Sequence, residues 1–131
     1  MPIGSRAWQG LPELPFARHT SYTGQDVLLN LTFLNSAGVA TEPTSITYEV
    51  DSLTTNQNVI ASTSVAPTGT SQIIQLPGSS MVNTRNYLGR EEFQVLITAV
   101  IPDTNATSGS ITVLALAVIE LINIAIPNSV T

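Results

Sequence analysis

Residues 43–51 read PTSITYEVD, and this stretch decides the fold class of the chain. Within it, Ile46, Tyr48 and Val50 alternate with polar residues. An alternation of period two places the apolar side chains on one face of a β-strand and the polar side chains on the other. The stretch therefore predicts a strand of an antiparallel sheet that has one buried face and one solvated face.

The same period of two recurs along most of the chain, and the sequence pattern contains no amphipathic helix. The apolar runs end at glycine, proline and asparagine residues, which are typical of turns between strands. A chain of 131 residues is long enough to close one hydrophobic core but not two. The sequence thus predicts one all-β domain, an antiparallel β-sandwich of about six to seven strands. Besides the strand in 43–51, the predicted strands lie at 27–33, 59–65, 71–76, 93–101 and from about 110 onward.

The first 24 residues differ from the rest, because they contain three prolines and show neither a helical nor a strand period. We expect an extended N-terminal arm at 1–24, a β-sandwich at 25–126 and a C-terminal tail at 127–131. An apolar arm needs a surface to lie on, either its own sandwich or a neighbouring subunit. The candidate assembly contacts of the arm are Trp8, Leu11, Leu14 and Phe16.

The apolar run at 111–126 is sixteen residues long. As a single strand it would extend about 50 Å, so we expect it to bend or to leave the domain. Both of its alternating sets are apolar, and only one set can face the second sheet. The alternative is that the run is simply the central strand of the core. Its length, with Glu120 and Asn123 inside it, argues against a membrane span. Its candidate assembly contacts are Leu121, Ile122, Ile124 and Ile126.

Charge is scarce in this chain and limits the classes of partner. Only 10% of the residues are charged, the net charge is -5, and all four cations are arginines. Nucleic acid is not an expected partner, because phosphate binding draws on clustered lysine and arginine. A polybasic membrane contact is not expected for the same reason. The chain has no cysteine for disulfide bonds, and its start does not resemble a secretory signal.

The sequence contains no recognisable catalytic motif, so we expect neither an enzyme nor a cofactor. His19 is the one histidine, and it lies in the predicted arm. Glu49 and Asp51 are predicted to share one strand face about 7 Å apart, and the loop at 103–109 is rich in oxygen donors. Glu49 and Asp51 could bind calcium or supply an acid pair. The loop could only bind calcium, and it lacks the spaced acidic residues and closing glutamate of a calcium-binding hand. We interpret them as solvated strand and turn residues and expect no metal.

Three motifs of the chain, taken in order, resemble a known family. They are P-x-x-I-x-Y-E-V-D at 43–51, S-x-I-I-x-L-P at 71–77 and E-E-F-x-V-L-I-T-A at 91–99. Their layout is similar to that of the Ig-like or fibronectin III-like modules of tailed-bacteriophage structural proteins. The resemblance implies an Ig-like sandwich. Two features depart from the family pattern, because the connection at 78–90 is longer and the last strand continues as an apolar tail.

The resemblance also implies a function in the virion. The implied classes are a capsid decoration (cement) protein, a head-tail connector component and a tail-associated protein. Such proteins commonly exchange arms and strands between copies. The implied partners are therefore other copies of this chain, as a homo-oligomer, and the major capsid protein or other virion proteins. The implied location is the virion, and the host cytoplasm during assembly.

A carbohydrate-binding or adhesin-type β-sandwich module is the alternative function. It predicts exposed aromatic residues that stack on sugar rings, with a ligand near Tyr87 in the connection at 78–90 or on Trp8. Three tyrosines, three phenylalanines and one tryptophan are few for such a site. We expect Trp8 to fill an apolar pocket instead. Virion assembly is therefore the preferred prediction.

Overall fold

The computed structural model describes residues 16–85 and 89–123 of the chain. All helical or strand structure in these two ranges is β-strand, and the strands form two sheets. The prediction of an all-β, sandwich-like fold is confirmed, and strands β2 to β7 coincide with the runs of period two. The seven strands are β1 (Phe16–Tyr22), β2 (Val27–Thr32), β3 (Ser45–Ser52), β4 (Asn58–Val65), β5 (Ser71–Leu76), β6 (Arg90–Pro102) and β7 (Ser110–Ile122).

The larger sheet has five strands in the order β1-β7-β6-β3-β4, and the smaller sheet pairs β2 with β5. Neighbouring strands are antiparallel except β1 and β7, which run in parallel. This parallel pair departs from the predicted antiparallel sandwich. Because β1 and β7 are the first and last strands, no hairpin joins them and the connectivity leaves their relative direction free.

Strand β1 comes from the segment that the sequence assigns to the N-terminal arm. It pairs with β7 along its whole length, starting with Phe16 opposite Leu116. The Thr23 N–H extends this pairing by donating to the Ile122 carbonyl at 3.0 Å. This part of the predicted arm is therefore an edge strand of the chain's own sheet, and residues 1–15 lie outside the described residues.

The core lies between the two sheets, and β6 is its central strand. Every second side chain of β6 is buried, because β3 and β7 flank the strand and one of its faces packs against the core. Burial of a large aliphatic or aromatic side chain stabilises the fold by about 1.5–3 kcal/mol. The core side chains of β6 are Phe93, Val95, Ile97, Ala99 and Ile101, and the small sheet adds Val27, Leu29, Ile74 and Leu76.

Two connections fix the small sheet at one end of the large sheet. Gly24, which follows β1, donates its N–H to the Met81 carbonyl at 2.8 Å. Asp26 accepts hydrogen bonds from the Gly78 N–H and the Gln75 side-chain amide, both at 2.6 Å. A Cβ atom on Gly78 would lie 2.3 Å from the Gly24 carbonyl oxygen, so the close approach of these connections requires glycine at position 78.

Strand β7 is thirteen residues long and lies between β1 and β6. It pairs with β6 from Ser110, opposite Pro102, to Ile122, opposite Arg90. The described part of the last apolar run is therefore a central strand, which is the second of the two interpretations that the sequence leaves open. Residues 124–131 lie outside the described residues.

Candidate association surfaces

The structure places the candidate assembly contacts in different environments. Leu121 is 0% exposed and belongs to the core, so its side chain is not available as a surface contact in this fold. Ile122 lies on the opposite face of β7 and is half-buried. Phe16 is the first residue of β1, and its backbone is opposite Leu116. The other five candidates lie outside the described residues, namely Trp8, Leu11, Leu14, Ile124 and Ile126.

The outer face of the small sheet carries the two most exposed large aliphatic side chains of the described residues. Leu28 on β2 is 59% exposed and Ile73 on β5 is 61% exposed. Their neighbours Leu29 and Ile74 are directly opposite each other and point into the core. Because side chains alternate along a strand, burying the second residue of each pair turns the first outward.

The register of the small sheet brings the two exposed side chains onto one surface. Leu28 is opposite Gln75, and Ile73 is opposite Asn30. Leu28 and Ile73 are thus diagonal neighbours, which in an antiparallel pair are separated by about 7–8 Å. We call the surface formed by Leu28, Asn30, Ile73 and Gln75 the small-sheet face.

The small-sheet face has little charge around its apolar centre. Its remaining strand residues are Thr32 and Ser71, which are uncharged. Asp26, which precedes β2, is a carboxylate that accepts hydrogen bonds from Gln75 and from a backbone N–H. Sequence reasoning missed this surface, although a signal was present. The doublets Leu28–Leu29 and Ile73–Ile74 interrupt the alternation, and a doublet in a strand exposes one of its two members.

The outer face of the large sheet carries charge instead. Glu92 on β6 is directly opposite Glu120 on β7, an arrangement of like charges that destabilises a sheet. Each glutamate forms an ion pair with an arginine: Arg18 pairs with Glu92, and Arg90 pairs with Glu120 at 2.7 Å. These side chains are partly exposed, so each ion pair contributes about 0–1 kcal/mol, and their main effect is to neutralise the repulsion.

The ion pair between Arg18 and Glu92 also affects packing on this outer face. Arg18 is on β1 opposite Val118, and Glu92 is on β6, so the ion pair spans the intervening strand β7. This places the apolar stem of the arginine beside Val118, which is 5% exposed although it faces away from the core. Leu96 and Leu116 are opposite each other nearby and are half-buried. The outer face of the large sheet is thus partly covered by its own side chains.

A buried carboxylate joins three segments at the end of the sandwich where β6 begins. Glu91 is 1% exposed, and its carboxylate accepts hydrogen bonds from the Ser52 hydroxyl at 2.5 Å and the Thr84 hydroxyl at 2.6 Å. The Thr84 N–H donates a third hydrogen bond at 2.8 Å. Because every bond of this carboxylate is to a neighbouring segment of the chain, we interpret Glu91 as a structural residue that holds the turn after β3 against the connection before β6.

A second carboxylate has the same role at the opposite end. Asp103 is buried, and its two oxygens accept the N–H groups of Ser36 at 2.8 Å and Asn105 at 2.9 Å. The hydrogen bonds from the Ser36 hydroxyl and from these two N–H groups lower the pKa of Asp103 below its ordinary value. The loop at 103–109, which we interpret from its sequence as a turn, therefore anchors the hairpin after β2.

The residues considered for chemistry do not form a site. Glu49 and Asp51 lie on the outer face of β3, opposite Leu96 and Gln94, and share that face as predicted. His19 is half-buried on β1. Within residues 16–85 and 89–123, no group of three or more histidine, aspartate or glutamate side chains is placed to hold a metal ion. The same part of the chain contains no helix long and apolar enough to span a membrane.

Comparisons with known proteins identify no relative of this chain. No family model matches the sequence, no curated protein matches it, and no solved structure matches the fold.

Proposed function

We propose that this protein is a virion structural protein that works by associating with copies of itself and by docking on other virion proteins. The sequence motifs shared with tailed-bacteriophage modules support a capsid decoration, head-tail connector or tail-associated protein with an Ig-like sandwich. The major capsid protein or another virion protein is the proposed docking partner, and the virion is the proposed location.

The small-sheet face is the observation that carries this proposal. Leu28 and Ile73 are exposed on the monomer, although the core does not need them there. Burying such side chains against another protein contributes about 1.5–3 kcal/mol each. The strand residues around them carry no charge, so a partner that covers this face desolvates no charged strand residue.

The distribution of charge also supports an association function. A net charge of -5 makes two copies repel each other over most of the surface. The small-sheet face reduces this repulsion because its strand residues are uncharged, although Asp26 at its margin keeps its negative charge when the neutral amides of Gln75 and Gly78 bind it. Contact between copies is therefore favoured at this face over the outer face of the large sheet, which carries Glu49, Asp51 and two ion pairs.

The carbohydrate-binding alternative depends on residues that lie outside the described ranges. Its predicted ligand contacts are Trp8 and Tyr87. The exposed aliphatic residues of the small-sheet face do not favour it, since sugar rings stack on aromatic side chains. It stays an alternative prediction.

Mass spectrometry of purified virus particles tests the proposed location. Particles from the virus that encodes this chain should contain the chain in a fixed ratio to their major capsid protein, and the ratio should persist through successive density gradients. A chain found in the infected cell but missing from the gradient-purified particles would contradict a structural function in the virion.

A further inference from the structure

Strand β4 is an open edge of the large sheet. In the order β1-β7-β6-β3-β4 it pairs with β3 on one side, and no strand of the described residues pairs with its other side. The backbone N–H and C=O groups on the open side of an edge strand are available to pair with another strand. An antiparallel partner would extend the sheet by β-augmentation.

The open edge of β4 lacks two of the usual protections, charged side chains and proline. Natural sheets protect edge strands with charged side chains, proline or strong irregularity. The opposite edge, β1, carries Arg18 and His19, whereas β4 reads NVIASTSV and contains no charged residue, no proline and no glycine.

The irregular part of β4 covers its first five residues, 58–62. The register between β3 and β4 shifts near Val50, where the Asn58 amide donates to the Asp51 carboxylate at 2.8 Å and to the Ile60 carbonyl at 3.3 Å. From Thr63 onward the register with β3 is regular. The four residues 61–64 are exposed and consist of alanine, serine and threonine. Residues 63–65 therefore form a short, regular and uncharged edge, next to the exposed residues 61–62 at the register shift.

We propose that β4 of one copy pairs with β4 of a second copy, antiparallel and about a twofold axis, so that two five-stranded sheets become one ten-stranded sheet. This inference rests on the proposed self-association and names the contact. The strand is self-complementary, because serine and threonine side chains opposite one another form favourable cross-strand pairs. A second strand would also cover Val59, Ile60 and Val65, which pack against the core but are only half-buried.

Electrostatics permits a second copy at this edge despite the net charge of -5. The carboxylates closest to the edge in the sheet are Glu49 and Asp51 on β3, one strand inward. In the ten-stranded sheet the two β3 strands are three strand spacings apart, about 14 Å at about 4.8 Å each. The Debye length is about 8 Å at physiological ionic strength, so the repulsion between these carboxylates is largely screened.

The two contacts together give the protein a way to build more than a dimer. A twofold edge contact is closed, because it uses the same surface on both copies. The small-sheet face belongs to the other sheet and stays free in such a dimer. Dimers joined at their edges can therefore associate further through Leu28 and Ile73, as a structural component of a particle requires.

The absence of cysteine from the sequence allows a direct test by disulfide trapping. Directly opposite residues in an antiparallel pair have Cα atoms about 4.5–5.5 Å apart, a separation that a disulfide bond spans. Single variants Ala61→Cys, Ser62→Cys, Thr63→Cys and Ser64→Cys scan the open half of β4. The matched controls are Thr112→Cys on β7 and Thr107→Cys in the loop before β7, both of which are exposed and lie outside the two proposed contacts.

At least one β4 variant should form a disulfide-linked dimer at least tenfold faster than both controls. Among the scanned positions, the rate should be highest at the residue nearest the twofold axis. The solution mass of the cysteine-free wild type is measured in parallel by light scattering. If the wild type associates but no β4 variant exceeds the controls, the β4 contact is wrong and the proposed function stands. If the wild type is a monomer at every concentration and no variant is trapped, both are contradicted.

Discussion

The outer face of the two-stranded sheet and the outer face of the five-stranded sheet are built from strands of the same alternating pattern, yet they carry different side chains. The five-stranded sheet presents two ion pairs, Arg18 with Glu92 and Arg90 with Glu120, above partly covered apolar residues. The two-stranded sheet presents Leu28 and Ile73 in an uncharged setting.

This difference separates the requirements of folding from those of association. The inner faces of both sheets are apolar because the core needs them, and their side chains are buried. Core packing does not determine which side chains occupy the outer faces of the sheets. The charged outer face is suited to water, whereas exposed aliphatic side chains at Leu28 and Ile73 gain stability only when another surface covers them.

The largest effect is expected from a change on the inner face. Phe93→Ala should destabilise the fold by about 3–5 kcal/mol, because it opens a cavity at a side chain that is fully buried on the central strand. Urea unfolding followed by circular dichroism measures the change. The matched control Leu28→Ala, at an exposed position, should cost less than about 0.5 kcal/mol. Equal losses in the free energy of unfolding for the two variants would contradict the difference between the buried inner face and the exposed outer face.

A smaller loss is expected when a buried polar contact is removed. Glu91→Ala should destabilise the fold by about 1–3 kcal/mol, because the hydroxyl groups of Ser52 and Thr84 lose their acceptor. The neighbouring variant Glu92→Ala removes a partly exposed ion pair and should cost about 0–1 kcal/mol. Urea unfolding of both variants tests the pair, and a larger loss for Glu92→Ala would show that Glu91 is not a structural anchor.

The contribution of Asp103 should depend on pH. Hydrogen bonds from Ser36 and Asn105 lower its pKa in the folded state, so its carboxylate stabilises the fold fully above the ordinary value of 3.8. This stabilisation is lost as the pH falls through the lowered pKa. Thermal unfolding should therefore show Asp103→Asn less stable than wild type near neutral pH, with the difference shrinking below about pH 4. A difference that is unchanged by acid would contradict the role of the ionised carboxylate.

The smallest effect on stability is expected at the small-sheet face. The double variant Leu28→Asn with Ile73→Thr should change the free energy of unfolding by no more than about 0.5 kcal/mol per site, because both side chains are exposed. Urea unfolding at low protein concentration measures the free energy of unfolding of the monomer. A loss of several kcal/mol would mean that these side chains support the fold of the single chain.

Sequence periodicity could predict most of the fold because most strands bury one face. Strands β2 to β7 follow from the alternation of apolar residues. Strand β1 was missed because it lies at an edge, where Arg18 and Thr20 are exposed and the alternation is weak. Its parallel pairing with β7 brings together residues that are about 100 positions apart in the sequence. The alternation of apolar and polar residues within one segment cannot predict such a contact.

The functional residues were harder to predict, because their environment depends on distant segments. The run at 111–126 is apolar on both faces, so the sequence could not tell that Leu121 faces the core and Ile122 faces away. Because adjacent residues of a strand point to opposite faces, the sequence pattern allows only one of Glu91 and Glu92 to face the core. That Glu91 is the buried one depends on Ser52 and Thr84, which come from other segments of the chain.

The most direct test of the account is the solution mass of the full chain by light scattering over a wide range of concentrations. If the chain self-associates, wild type should form species larger than a monomer, whose mass rises with concentration. The double variant Leu28→Asn with Ile73→Thr should shift this rise to higher concentration, while the control Thr107→Ala in the exposed loop before β7 should leave it unchanged. A wild type that remains a monomer throughout would contradict self-association as the basis of this protein's function.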